Sequence, residues 1–130
     1  MNSSTFLRRA LALDSAGCAA LGLLLSLDAA PLSALFGLGE GLLLAAGLLL
    51  LPLAAFIAWL ASRRSPPAPL VWLAVVGNLA WTAESFLLIS MEGGRITALG
   101  TAFVAGQAVA WLGITALEYA GLRRNRAVAA

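Results

Sequence analysis

Leu42–Leu60 reads LLLAAGLLLLPLAAFIAWL, nineteen residues without a charge. A helix needs about 20 mainly apolar residues to cross the ~30 Å hydrocarbon core of a bilayer, and this run supplies them. It shows no period-two alternation, and Leu and Ala far outnumber β-branched residues, so a barrel strand is excluded. Arg63 and Arg64 close the run, and Ser65-Pro66-Pro67-Ala68-Pro69 then turns the chain. Pro52 frees a backbone carbonyl inside the run and predicts a kink there.

Three further stretches of the same kind lie on either side. They run from about Leu11 to Leu27, Leu70 to Ser90 and Ile96 to Leu122. The expected fold is all-α, an up-down-up-down bundle of four transmembrane helices forming one domain over residues 1–130. Composition agrees: 62% of the 130 residues are hydrophobic and 11% charged, with a mean hydropathy of +0.96. Soluble domains carry about a quarter charged residues, and one this small could not bury so much Leu, Ala and Val. The bilayer is therefore the expected partner of the outer surface.

The arginines orient the bundle. Arg8 and Arg9 precede the first span, Arg63 and Arg64 follow the second, and Arg123, Arg124 and Arg126 follow the fourth. Only Arg95 lies in the other set of loops. The positive-inside rule places both termini and the 63–69 loop in the cytoplasm, with 28–41 and 91–95 facing outward. Arg8-Arg9 ahead of an apolar stretch also resembles a signal peptide, with Asp28-Ala29-Ala30 as a cleavage zone. Asp14 breaks that apolar core early and Leu23–Leu27 extends it, so a retained helix is expected. Asp28 is a plausible cap for a short turn through Pro31, Leu35 and Phe36 that joins two spans.

Several chemistries fall away with the residue types. The chain has no His and no Lys, which removes His-ligated haem, His-based metal sites or acid–base catalysis, and a Schiff base. Cys18 is the only cysteine, so disulfide or CxxC redox chemistry within the chain is excluded. No cofactor or metal is expected. The arginines cluster at span ends without interleaved aromatics, which speaks against nucleic acid.

Polar residues inside the third and fourth spans mark the candidate site. At about 100° per residue, Asn78, Trp81, Glu84 and Ser85 share one face of the third helix, with Gly77 beside them. Gly100, Gln107, Trp111 and Glu118 line the fourth. Lipid is a poor partner for amide and carboxyl groups, so the two stripes should face each other. Glu84 lies roughly 10 Å from its helix end and is read either as a structural acid bonded to Gln107 or Asn78, or as a functional one. Asp14 and Glu118 fall near the arginine-bearing boundary and are expected to pair with Arg8, Arg9 or Arg123. Ala98, Ala102, Gly106 and Ala110 repeat every four residues, as do Ala12, Ala16 and Ala20, and such ladders allow close helix packing within a chain or between chains. Trp72 and Tyr119 read as interfacial anchors.

With Leu35-Phe36-Gly37-Leu38, Gly77-Asn78-Leu79-Ala80-Trp81 and its Leu/Ala-rich spans, the chain resembles the small four-helix inner-membrane proteins of GC-rich bacteria. That resemblance covers the whole chain and implies a bacterial inner-membrane location but no activity. Small multidrug exporters also have four spans and a buried Glu, but theirs lies in the first helix, and the one-sided arginine bias opposes dual topology. Two roles follow. The leading one is a non-enzymatic accessory or scaffold protein that packs with itself or another membrane protein. The alternative is a binder or carrier of a small amphipathic or cationic molecule between the third and fourth spans, working as a dimer.

Overall fold

A computed structural model describes residues 3–129, with side chains for residues 5–124; Arg126 lies outside the described side chains. The described chain is all-α: α1 (Ser3–Leu27), α2 (Ala29–Phe36), α3 (Glu40–Ser62), α4 (Ala68–Met91) and α5 (Ala98–Ala129). Four of these helices are long and apolar enough to cross a membrane, over Thr5–Leu27, Glu40–Ser62, Ala68–Met91 and Ala98–Arg124. Leu23, Leu48, Leu49, Leu73, Leu79 and Leu87 stand exposed around their circumference. A protein in water would hide such a surface and lipid accepts it; this is a multi-pass membrane protein.

α1 is the central helix. It packs along α3 on one side and α5 on the other, α5 also carries α4, and α3 scarcely meets α4. The α1–α3 crossing is closed by glycine. A Cβ on Gly47 would lie 2.6 Å from Ser26 Oγ, 2.7 Å from Ser26 N and 2.8 Å from the Gly22 carbonyl, and one on Gly22 would lie 3.1 Å from the Gly47 carbonyl. Ser15 Oγ donates to the Ala54 carbonyl at 2.9 Å and Arg8 Nε to the Ala61 carbonyl at 3.0 Å, so α3 is tied to α1 along its length. On the other side a Cβ at Gly121 would sit 3.0 Å from Leu7 Cα.

The close packing does not use the expected ladders. Ala98, Ala102, Gly106 and Ala110 are exposed, as are Ala12, Ala16 and Ala20. A Cβ on Gly106 would meet nothing within 4 Å. The ladder spacing is present, but the buried stripe of α5 passes instead through Val104, Ala108, Trp111, Thr115 and Glu118. Pro52 lies inside α3, on its exposed side, and the helix continues through it.

The 28–41 segment does more than join two spans. Asp28 occupies the N-cap position of α2 but makes no side-chain cap bond. The helix ends at Gly37, whose φ of 70° and N–H bond to the Ser33 carbonyl need a residue without a Cβ. A Cβ there would strike the Arg95 carbonyl. The Phe36 carbonyl accepts the Thr97 N–H at 2.9 Å, Thr97 Oγ1 donates to the Leu35 carbonyl at 2.7 Å, and Phe36 stacks on Phe103 at 4.7 Å. α2 is thus pinned to the start of α5.

Candidate functional site

The predicted polar stripes separate into two layers about one to two helical turns apart, roughly 5–10 Å. Both use the same device at their edges. Thr82, Ser85 and Thr115 return their hydroxyl hydrogens to the carbonyls of Asn78, Trp81 and Trp111, four residues earlier. That satisfies each hydroxyl within its own helix, where lipid offers no partner.

The layer farther from the arginine-rich end contains Trp81, Ser85 and Gln107. Trp81 Nε1 donates to Gln107 Oε1 at 2.7 Å, and Gln107 Nε2 donates to Ser85 Oγ at 2.8 Å and to the Val104 carbonyl at 2.8 Å. These neutral groups form the polar floor of a cleft of about 240 Å³ that opens where α3 and α4 diverge. Its walls are Leu21 and Leu25 of α1, Leu43 and Ala46 of α3, and Leu88 of α4, with exposed Leu42, Leu87 and Met91 at the margin. Glu84 also lines it. Contrary to expectation, Glu84 is exposed and bonded to neither Gln107 nor Asn78. An offset of one residue explains this: Asn78, Thr82 and Ser85 hold the buried edge of α4, and Glu84 lies about 100° round from Ser85. The opening also lies between the second and third spans rather than between the third and fourth, because α4 and α5 pack against each other.

The layer nearer the arginine-rich end is closed. Asn78 and Trp111 turn toward α1 rather than toward the cleft, and there they meet Asp14 and Glu118, both with no exposed surface. Asn78 Nδ2 donates to Asp14 Oδ2 at 2.7 Å and to Glu118 Oε1 at 3.1 Å. Trp111 Nε1 donates to Asp14 Oδ1 at 3.1 Å, and Cys18 Sγ to the same oxygen at 3.4 Å. The arginine pairs expected of these acids are not formed: Arg8 is spent on Ala61, and Arg123 stacks over Tyr119 with 5.8 Å between guanidinium and ring centroid. Three helices are joined through this single amide and two carboxyls.

The sequence did hold a signal for Asp14. Leu7, Leu11, Asp14, Cys18, Leu21 and Leu25 recur at spacings of four, three, four, three and four, the period of a buried helix stripe. An acid within such a stripe belongs to the interior, whatever arginines lie a turn away. The structure brings together Trp81, Glu84, Ser85 and Gln107 around one cleft, and Asn78 and Trp111 around another centre.

No family model, curated protein or solved structure matches this chain.

Proposed function

We propose that this protein binds the chain of an amphipathic molecule in the cleft between α3 and α4, with a polar or cationic head near Glu84. The divergence of α3 and α4 over a leucine-walled cleft with the Trp81–Gln107–Ser85 floor carries the reading. Ligand sites are commonly apolar with a few convergent polar groups, and drug-sized molecules need about 300 Å³ or more. The volume here suits one chain or ring rather than a whole large ligand. Binding rather than catalysis fits the donors and acceptors. The Ser85 hydroxyl donates to its own helix, and the Trp81 and Gln107 groups are occupied by one another.

The location that goes with this reading is the bacterial inner membrane, with both termini cytoplasmic. Among the described side chains, six of the seven arginines lie at one end of the bundle. There Arg63 lies over Trp59, Arg123 over Tyr119 and Arg124 over Phe6, and Trp72 meets Tyr119 edge to face at 5.7 Å. Aromatic–arginine girdles suit a headgroup layer. A scaffold role has separate support in the outward Ala12/Ala16/Ala20 and Ala98/Ala102/Gly106/Ala110 ladders, which are left for a second copy or another membrane protein.

A photoreactive fatty amine with a mid-chain diazirine tests the cleft. In nanodiscs of zwitterionic lipid it should label Leu43, Ala46 and Leu88 ahead of Leu23 and Leu73, which lie on other faces. Ala46→Phe should cut cleft labelling at least several-fold while the protein stays folded. Uniform labelling of all exposed leucines, unaffected by Ala46→Phe, would refute the reading. A matching fatty acid that labels as well as the amine would remove Glu84 from it.

A further inference from the structure

We propose that Glu118, held against Asp14 at the junction of α1, α4 and α5, is a reversible proton-binding site independent of the cleft. The case rests on hydrogen-bond geometry. Asp14 receives three donors, from Asn78, Trp111 and Cys18, which is the pattern of an acceptor-only carboxylate. Glu118 receives one, on Oε1 from Asn78. Its Oε2 is fully buried and has no hydrogen-bond partner. Every donor contacting the pair is neutral, and two like charges buried side by side inside a membrane carry a heavy cost. A proton on Glu118 Oε2 removes one charge and leaves Oε1 free to accept from Asn78.

Among the described residues no cation contacts the pair, and Arg9 and Arg124 are exposed, Arg124 over Phe6. On α1, Asp14 shares the Asn78 donor with Glu118, Cys18 donates to Asp14, and Arg8 donates to Ala61. α4 offers Asn78, which does not titrate, and its one ionisable residue, Glu84, lines the cleft. Glu40 is the one ionisable residue of α3 and starts that helix at the opposite end. On α5 itself Tyr119 and Arg123 are exposed and contact each other. Loss of the proton would set two carboxylates on one amide nitrogen and push apart the helices that Asn78 joins. The junction would therefore loosen as pH rises.

Infrared spectroscopy of the full chain in zwitterionic nanodiscs reads the proton directly. The neutral protein should show the C=O stretch of a protonated carboxyl that diminishes as pH is raised, with a parallel fall in melting temperature. Glu118→Gln keeps the shape with an amide, and should lose that band and flatten the melting profile. Asp14→Asn should retain the band. Should Glu118→Gln fail to fold, uniform ¹³C-glutamate labelling in a Glu84→Gln background should shift the band to lower frequency. An unlabelled-like band, its loss in Asp14→Asn only, a pH profile unchanged by Glu118→Gln, or a melting temperature that follows sodium instead of pH would each overturn the proposal. Fatty-amine labelling of the cleft does not enter any of these readouts, so the two readings fail separately.

Discussion

The two sides of α3 contrast sharply. Toward α1 it presents Gly47, Leu50, Ala54 and Ile57, all buried, and the backbones meet through Gly22 and Gly47. Toward α4 it presents Leu42, Leu43 and Ala46, and there the helices stand apart. Both sides are apolar and neither has a charge. Without a hydrophobic drive between helices in lipid, contact is decided by how closely two surfaces fit and by hydrogen bonds across them. The α1 side has a glycine pair, Ser15 to Ala54 and Arg8 to Ala61; the α4 side has leucine against leucine. A leucine-rich helix in this protein therefore adheres where it is notched and bonded, and gapes where it is merely greasy.

Filling the notch should give the largest effect. Gly47→Leu places atoms where Ser26 and the Gly22 carbonyl now lie, neither of them able to withdraw as a flexible side-chain tip could. We expect a loss of more than about 3 kcal/mol, at the upper end of overpacking costs, in reversible unfolding from detergent. A Gly47→Leu protein as stable as wild type would mean that the α1–α3 contact is not the seal described.

Asn78→Leu comes next. It leaves Asp14 Oδ2 and Glu118 Oε1 buried without their donor and should cost about 2–3 kcal/mol. The same assay should find Trp81→Phe milder, because Gln107 at the cleft floor keeps Ser85 and the Val104 carbonyl as partners. Equal losses for the two variants would erase the distinction between a closed and an open polar layer.

The smallest change belongs to Gly106→Leu. Its Cβ meets nothing within the chain, so monomer stability should move by no more than ~0.5 kcal/mol. A change of particle size in native mass spectrometry, with stability unaltered, would place a second chain on that face.

The spans and their number were legible because apolar length is a property of each segment alone. Glu40–Ser62 contains the whole Leu42–Leu60 run and exceeds it at both ends, since helices continue into the interface beyond the last apolar residue. The candidate site was legible in membership and misread in arrangement. Trp81, Ser85 and Gln107 do converge, as facing polar stripes required. The position of Asn78 depends on a diagonal contact between α4 and α1, which no pairwise reading of neighbouring spans contains. The small-residue ladders failed for a related reason: spacing shows that a face can approach closely, and only the partner's position says whether it does. Asp14 and Glu118 were drawn toward arginines by proximity along the sequence, while the helix period already turned Asp14 inward.

The margin of the cleft carries exposed Leu42 and Leu87, apolar residues of two membrane-crossing helices, near the end of the bundle where α4 finishes at Met91. A guest would then exchange with the surrounding leaflet without passing through an aqueous phase. Occupancy would follow its mole fraction in the lipid, and diluting a vesicle suspension with buffer would leave the bound fraction unchanged. Adding empty vesicles would strip it.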